Sequence, residues 1–229
     1  MHPRFVGRLG VADAVTSANA ALGFVAVVAA TVDVELAARL VLLAAIADGL
    51  DGLLARRYGS TPAGEHLDSL ADVASFGVAP AFLVVAHVGD NWGFGEPRAL
   101  LAVGVCALFV AAGVVRLGLY TAFDTGNAHT EGVPTTLAAT LLAAGVLAGV
   151  SDPLVVVAAT GVLAVLMVTT IQYPDLYPRD ALSMGFVQAA ALLAPLAFSR
   201  ALPRVLLAWA VAYLLLAPRF YWRPEGKRS

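Results

Sequence analysis

The stretch DGLDGLLARRYGSTPAGEHLDSLAD, residues 48–72, sets Asp48, Asp51, Asp68 and Asp72 into a chain otherwise made mostly of Ala, Val and Leu. Asp48 and Asp51 are three residues apart at the end of one apolar run. Asp68 and Asp72 are four apart at the start of the next. Either spacing puts both carboxylates on one face of a helix. A turn with Gly59, Pro62 and Gly64 joins the two runs, which predicts an antiparallel helix pair whose acidic faces meet.

Working outward, the same helical reading extends over the whole chain. Of 229 residues, 60% are hydrophobic and 13% charged, against about 25% charged in a soluble domain. Apolar runs able to cross a hydrocarbon core of about 30 Å, near 20 residues each, recur at about 11–31, 35–57, 65–88, 98–121, 133–150, 153–171, 182–199 and 202–218. The fold class expected is an all-α, polytopic transmembrane bundle forming a single membrane domain over 1–229. Thr16, Ser17 and Asn19 interrupt the first run, and further spans follow, so it reads as a retained helix rather than a signal peptide.

Net charge is −2, with no basic surface to suggest a nucleic-acid partner. With eight spans and the N-terminus inside, the inner segments collect Arg4, Arg8, Arg56, Arg57, Arg116, Arg179, Arg219, Arg223, Lys227 and Arg228. The outer ones hold Arg39, Arg98, Arg200 and Arg204. The positive-inside rule then places both termini, and the turn within 48–72, on the cytoplasmic side of the cell membrane. Cys106 is the sole cysteine and lies within a span, which excludes a disulfide framework or a cysteine metal cluster. Phe220, Tyr221 and Trp222 beside basic residues read as an interfacial anchor.

A charged Asp near the centre of a membrane helix costs about 2.5–3.5 kcal/mol, and mutual repulsion adds to that. Arg56 and Arg57 are too few to offset four carboxylates. Divalent cations with hard oxygen ligands would do so, most economically two Mg2+ or Mn2+ ions about 3.5–4 Å apart. Helix capping or arginine pairing would account for any one of these aspartates, but poorly for four with helical spacing on both sides of a glycine turn. A paired-metal site handles phosphate oxygens, and nearby glycines allow a diphosphate close to the backbone. The residues themselves thus indicate metal-dependent phosphoryl transfer.

At these positions the sequence resembles the CDP-alcohol phosphotransferase family, whose signature D-x2-D-G-x2-A-R, spacer, G-x3-D-x3-D is met by Asp48, Asp51, Gly52, Ala55, Arg56, Gly64, Asp68 and Asp72. The spacer is one residue shorter than the family commonly has, which touches the loop and neither helical spacing. The resemblance implies a six-helix membrane core over about 10–180, usually a homodimer, with 181–229 as additional spans and a basic tail. It implies that Asp48, Asp51, Asp68 and Asp72 hold two divalent ions, with Asp72 also the general base. It implies that Gly52, Ala55 and Gly64 leave room for the cytidine nucleotide and that Arg56 belongs to the same pocket. The run DSLADVASFGVAPA, the Thr16, Asn19 and Gly23 pattern, and VVRLGLY followed by EGVPTT resemble the phosphatidylserine synthase branch. The activity this implies is transfer of a phosphatidyl-type group from a CDP-lipid to L-serine. Diacylglycerol and ether-linked archaeol lipids, the latter as in an archaetidylserine synthase, both suit an Ala/Val/Leu groove.

Serine carries a carboxylate, so a cation near the site is required; Arg116 is the candidate, a snorkelling helix-end arginine its alternative. Glu131, Thr135 and Thr136 are candidates for the serine ammonium or the rim of the metal site, against a helix start capped by threonine. His2, His66, His87 and His129 show no ligand spacing, and the sole lysine, Lys227, excludes the H-x-K motifs of a phospholipase D-like route. Two rivals stand beside this reading. Glycerol 3-phosphate or inositol phosphate as acceptor would call for a cluster of basic residues at the site. A cation or proton transporter would call for acidic residues spread through the depth of the membrane.

Overall fold

The computed structural model describes residues 9–59, 61–93, 95–124, 129–174 and 177–222. Arg4, Arg8, Arg223, Lys227 and Arg228, which bear on the expected orientation, lie outside the described residues, as does His2. The architecture is an all-α polytopic membrane bundle. Its helices are α1 (Val11–Ala30), α2 (Val34–Tyr58), α3 (Gly64–Asp72), α4 (Ala79–Trp92), α5 (Pro97–Leu119), α6 (Thr135–Ala148), α7 (Pro153–Met167), α8 (Pro178–Leu193) and α9 (Ala201–Phe220). A π-helical segment, Val73–Val78, fuses α3 to α4, so Gly64–Trp92 is one rod. The helices therefore form eight rods among the described residues, one for each apolar run. A second π-helical turn, Tyr120–Asp124, prolongs α5.

Local chemistry explains the boundaries. Asp33 caps α2, its carboxylate accepting from the amides of Glu35 at 2.8 Å and Leu36 at 3.1 Å. The long apolar stretch 133–171 divides at SDP because Gly149 ends α6 in a left-handed conformation, φ +91°. Asp152 then caps α7 through the Leu154 amide at 2.9 Å, and Pro153 opens the helix. Helix α8 ends at Leu193, so the turn to α9 begins earlier than the run of apolar residues suggests, and within it Phe198, Ser199 and Arg200 all have positive φ.

Four rods are long and apolar enough to cross a membrane by length and composition: Val11–Ala30, Gly64–Trp92, Pro97–Phe123 and Ala201–Phe220. At 25 residues, α2 is about 38 Å long but carries charges at both ends. Helix α6 is short and buried almost all round, from Leu137 to Ala144 without a break. It stands at the centre of the bundle and is covered by protein rather than lipid. The interior is built of small residues, with Ala26, Ala38, Ala44, Ala139, Ala143 and Ala144 around Leu42, Phe76 and Leu147, which lets helix backbones approach closely in lipid. The large apolar side chains Phe24, Leu100, Leu108 and Phe186 point outward. Two three-residue strands, β1 (His129–Glu131) and β2 (Gln172–Pro174), pair antiparallel with Thr130 opposite Tyr173.

Candidate active site

The site forms where the C-terminal half of α2 meets α3, as the helical spacing of the aspartates requires. Asp48, Asp68 and Asp72 each direct a carboxylate oxygen to one place, all within 4.8 Å of one another. Asp72 is buried and its Oδ1 has no hydrogen-bond partner. A buried carboxylate oxygen left unsatisfied is costly, and three convergent carboxylates make a hard, anionic donor set suited to a divalent metal. The residues present thus fit such an ion.

Asp51 is placed differently. Its carboxylate accepts from the Thr16 hydroxyl of α1 at 2.7 Å, at the edge of the three-carboxylate group. Thr16 is buried, and one turn deeper Asn19 is buried with neither atom of its amide bonded. Helix α1 can press against the π-helical segment because residue 23 is Gly: a Cβ there would lie 2.9 Å from the backbone of Ala74 and Ser75. The Ser75 hydroxyl donates to the Asn19 carbonyl at 2.8 Å across the same contact.

Of the positions in the signature that lack a large side chain, Gly52 faces open space: a Cβ at this position would have no neighbour within 4 Å. Gly64 is different, because a Cβ there would meet Asp13 Oδ1 at 3.1 Å. Asp13 is a site-supporting residue that the sequence does not single out. Buried at the start of α1, its Oδ2 accepts from the Gly10 amide at 2.7 Å and from the Thr61 hydroxyl at 2.8 Å, tying α1 to the turn between α2 and α3. Ala55 is half-buried on α2, while Arg56 and Arg57 in its last turn are exposed. His66 is exposed as well.

The remaining candidates come from α5, β1 and α6. Arg116 is buried near the end of α5, close enough to Asp72 to interact electrostatically with it. Its guanidinium donates to the Thr130 hydroxyl at 3.2 Å and lies 5.2 Å from the centre of the Tyr120 ring. It is not a helix-end arginine reaching for solvent. Just beyond α5, Thr121 shares a hydrogen bond of 2.6 Å with Ser69 of α3. Thr136 lies beside Asp48, near enough for its hydroxyl to favour that carboxylate's charge, and Thr135, fully buried, has an unpartnered hydroxyl. The first turn of α6 has no side-chain cap, so neither threonine caps the helix. Glu131 is exposed on β1. The clustered acidic groups gather at one end of the bundle, unlike the dispersed acids of a transmembrane ion path.

The sequence profile of a family described as CDP-alcohol phosphatidyltransferase matches residues 9–174. The chain is 32% identical over 167 residues to an archaetidylserine synthase of Methanothermobacter thermautotrophicus, covering 71% of this chain and 68% of that protein. It is 36% identical over 147 residues to a CDP-diacylglycerol–serine O-phosphatidyltransferase of Helicobacter pylori, covering 59% of each. A protein of the same description from Methanocaldococcus jannaschii is 30% identical over 170 residues, covering 74% of this chain and 75% of the relative. The chain thus spans about three fifths of the Helicobacter protein's length and two thirds or more of the other two.

Proposed function

We propose a reaction from one premise: the chain belongs to the CDP-alcohol phosphatidyltransferase family. The reaction is transfer of a phosphatidyl-type group, diacylglycerol- or archaeol-based, from a CDP-linked lipid to the hydroxyl of L-serine, with release of CMP. The observation that carries it is the convergence of Asp48, Asp68 and Asp72 within 4.8 Å, with the buried Arg116 beside Asp72.

Asp48, Asp51, Asp68 and Asp72 would hold two divalent cations, Mg2+ or Mn2+. Such ions supply charge neutralisation at the diphosphate and at the departing phosphate. The protein's own groups do the rest. Gly52 leaves space on α2 for the nucleotide, and Ala55, Gly64 and Arg56 would border it. Arg116 pairs with the serine carboxylate and so aims the serine hydroxyl at the lipid-side phosphorus. Asp72 takes the hydroxyl proton as the serine oxygen bonds to that phosphorus and the bond to the bridging diphosphate oxygen breaks. Thr16 orients Asp51, Thr136 would steady Asp48, and Glu131 and Thr135 would receive the serine ammonium. Asn19 supports the same face of α1.

Acceptors that carry a phosphate would demand more positive charge than Arg116 brings, since Arg56 and Arg57 are exposed. The lipid tails stay in the bilayer while serine and CMP exchange with the cytoplasm, which fits a site at the cytoplasmic end of a cell-membrane protein acting as a homodimer. Residues 10–180 form the catalytic core of this single domain and 181–229 an addition to it. The test is CMP release by purified protein from a CDP-lipid with Mn2+ or Mg2+, comparing L-serine, glycerol 3-phosphate, inositol phosphate and no acceptor. Release that requires serine supports the reading, and release that requires a different acceptor contradicts it.

A further inference from the structure

We infer that α9 acts as a clamp on the β1–β2 ribbon and thereby positions Arg116 for the acceptor. This rests on the serine reading above. The family match ends at residue 174, the last residue of β2, and there α9 takes hold. The Tyr213 hydroxyl donates to the Pro174 carbonyl at 2.6 Å, and the Tyr173 hydroxyl donates to the Leu214 carbonyl at 3.1 Å. The two tyrosine rings lie 6.3 Å apart, and Tyr173 is buried. Across the ribbon, Tyr173 stands opposite Thr130, and the Thr130 hydroxyl is an acceptor for Arg116. Each link from α9 to the guanidinium beside Asp72 is therefore a direct contact.

A two-stranded ribbon of three-residue strands has little stability of its own. Its position must come from what grips it, and α9 grips the outer strand at two points. Arginine loses rotamer freedom when fixed, so a guanidinium held in advance binds a carboxylate better than a free one. Docking of the two added helices on the core relies on other contacts. Gln188 of α8 donates to the Leu42 carbonyl at 3.0 Å, and at the start of α9 Arg200 and Arg204 donate to the Leu147 and Ala148 carbonyls at 2.9 and 3.4 Å. Removing a tyrosine hydroxyl at the ribbon therefore leaves that docking in place.

The experiment compares Tyr213→Phe, Thr130→Val and the double variant with the full-length enzyme, reading KM for L-serine, KM for the CDP-lipid, kcat and the thermal midpoint. Losing one neutral hydrogen bond corresponds to about a fivefold change. Tyr213→Phe is expected to raise the serine KM by up to about that factor, with the lipid KM unchanged and the thermal midpoint lowered by no more than in Gln188→Leu. The double variant should be no worse than Thr130→Val alone, because both act through one path. Gln188→Leu, a docking contact, should lower the thermal midpoint and leave the serine KM as it was. If Tyr213→Phe does not purify folded, Tyr173→Phe removes the other hydroxyl and carries the same expectation. An unchanged serine KM, serine and lipid KM values rising together, or additive effects in the double variant would overturn the clamp. A wild-type enzyme that uses another acceptor instead of serine overturns the serine reading, and the same variants then test the clamp through that acceptor's KM.

Discussion

At the scale of single residues, the four signature aspartates fall into two kinds. Asp48, Asp68 and Asp72 converge, and Asp72 keeps a buried oxygen without a partner; Asp51 is satisfied in part by Thr16. Asp72→Asn keeps the shape while removing the charge and the proton acceptor, so CMP release should fall by at least about 100-fold, the lower range for loss of a general base. Asp68→Asn should weaken Mn2+ binding in a titration of the purified protein. Thr16→Val removes one hydrogen bond to a carboxylate that other contacts still hold, and its cost should be near tenfold in kcat/KM, the low end for a bond to a charged group. Equal losses in Thr16→Val and Asp72→Asn would contradict this division. The aspartates are legible in the sequence because their period is that of a helix. Asp13 is not: a lone acidic residue at a helix start has no spacing to announce it, and its partner Thr61 is 48 residues away.

At the scale of elements, the rods follow from runs of apolar residues and from caps such as Asp33 and Asp152, so the sequence reading finds a rod in each run, although α8 stops at Leu193 and four rods have the length and composition to cross a membrane. The π-helical segment Val73–Val78 is invisible to such a reading, since it changes the hydrogen bonding without changing the apolar pattern. It matters because α1 rests on it through Gly23. Gly23→Ala would set a Cβ 2.9 Å from the Ala74 and Ser75 backbone, and should lower stability by about 1–3 kcal/mol, the usual cost of overpacking, read as a drop in thermal midpoint. The β1–β2 ribbon is equally hidden, its strands being too short to alternate and separated by two whole helices. Gly132 follows β1 with φ +74°, and a Cβ there would meet the Met167 carbonyl oxygen at 2.1 Å. Gly132→Ala combines backbone strain with a clash that no flexible side chain can relieve. It should cost more than Gly23→Ala and yield little folded protein, and a Gly132→Ala protein of wild-type stability would place this turn elsewhere.

At the scale of the whole molecule, the outward Leu, Val and Phe side chains and the small interior residues describe a bundle dissolved in lipid, with its chemistry gathered at one end. The orientation proposed from the arginine distribution makes that end cytoplasmic. With Cys106 replaced by alanine, an impermeant maleimide added to intact cells should label Asn91→Cys and spare His66→Cys until the cells are permeabilised; the reverse pattern would invert the assignment. The sequence alone marks the end where the carboxylates gather, since charge there is so expensive in lipid, but it does not tell what the last two helices do. Their contacts with Pro174 and Tyr173 become evident only once the chain is folded. Serine transfer itself is tested by incorporation of radiolabelled L-serine into chloroform-extractable lipid by the purified protein with a CDP-lipid and Mn2+, alongside Asp72→Asn. Labelled lipid is expected from the wild type, stopped by EDTA and absent from the variant; folded wild-type protein that consumes the CDP-lipid yet leaves all the serine label in the aqueous phase would contradict serine as the acceptor.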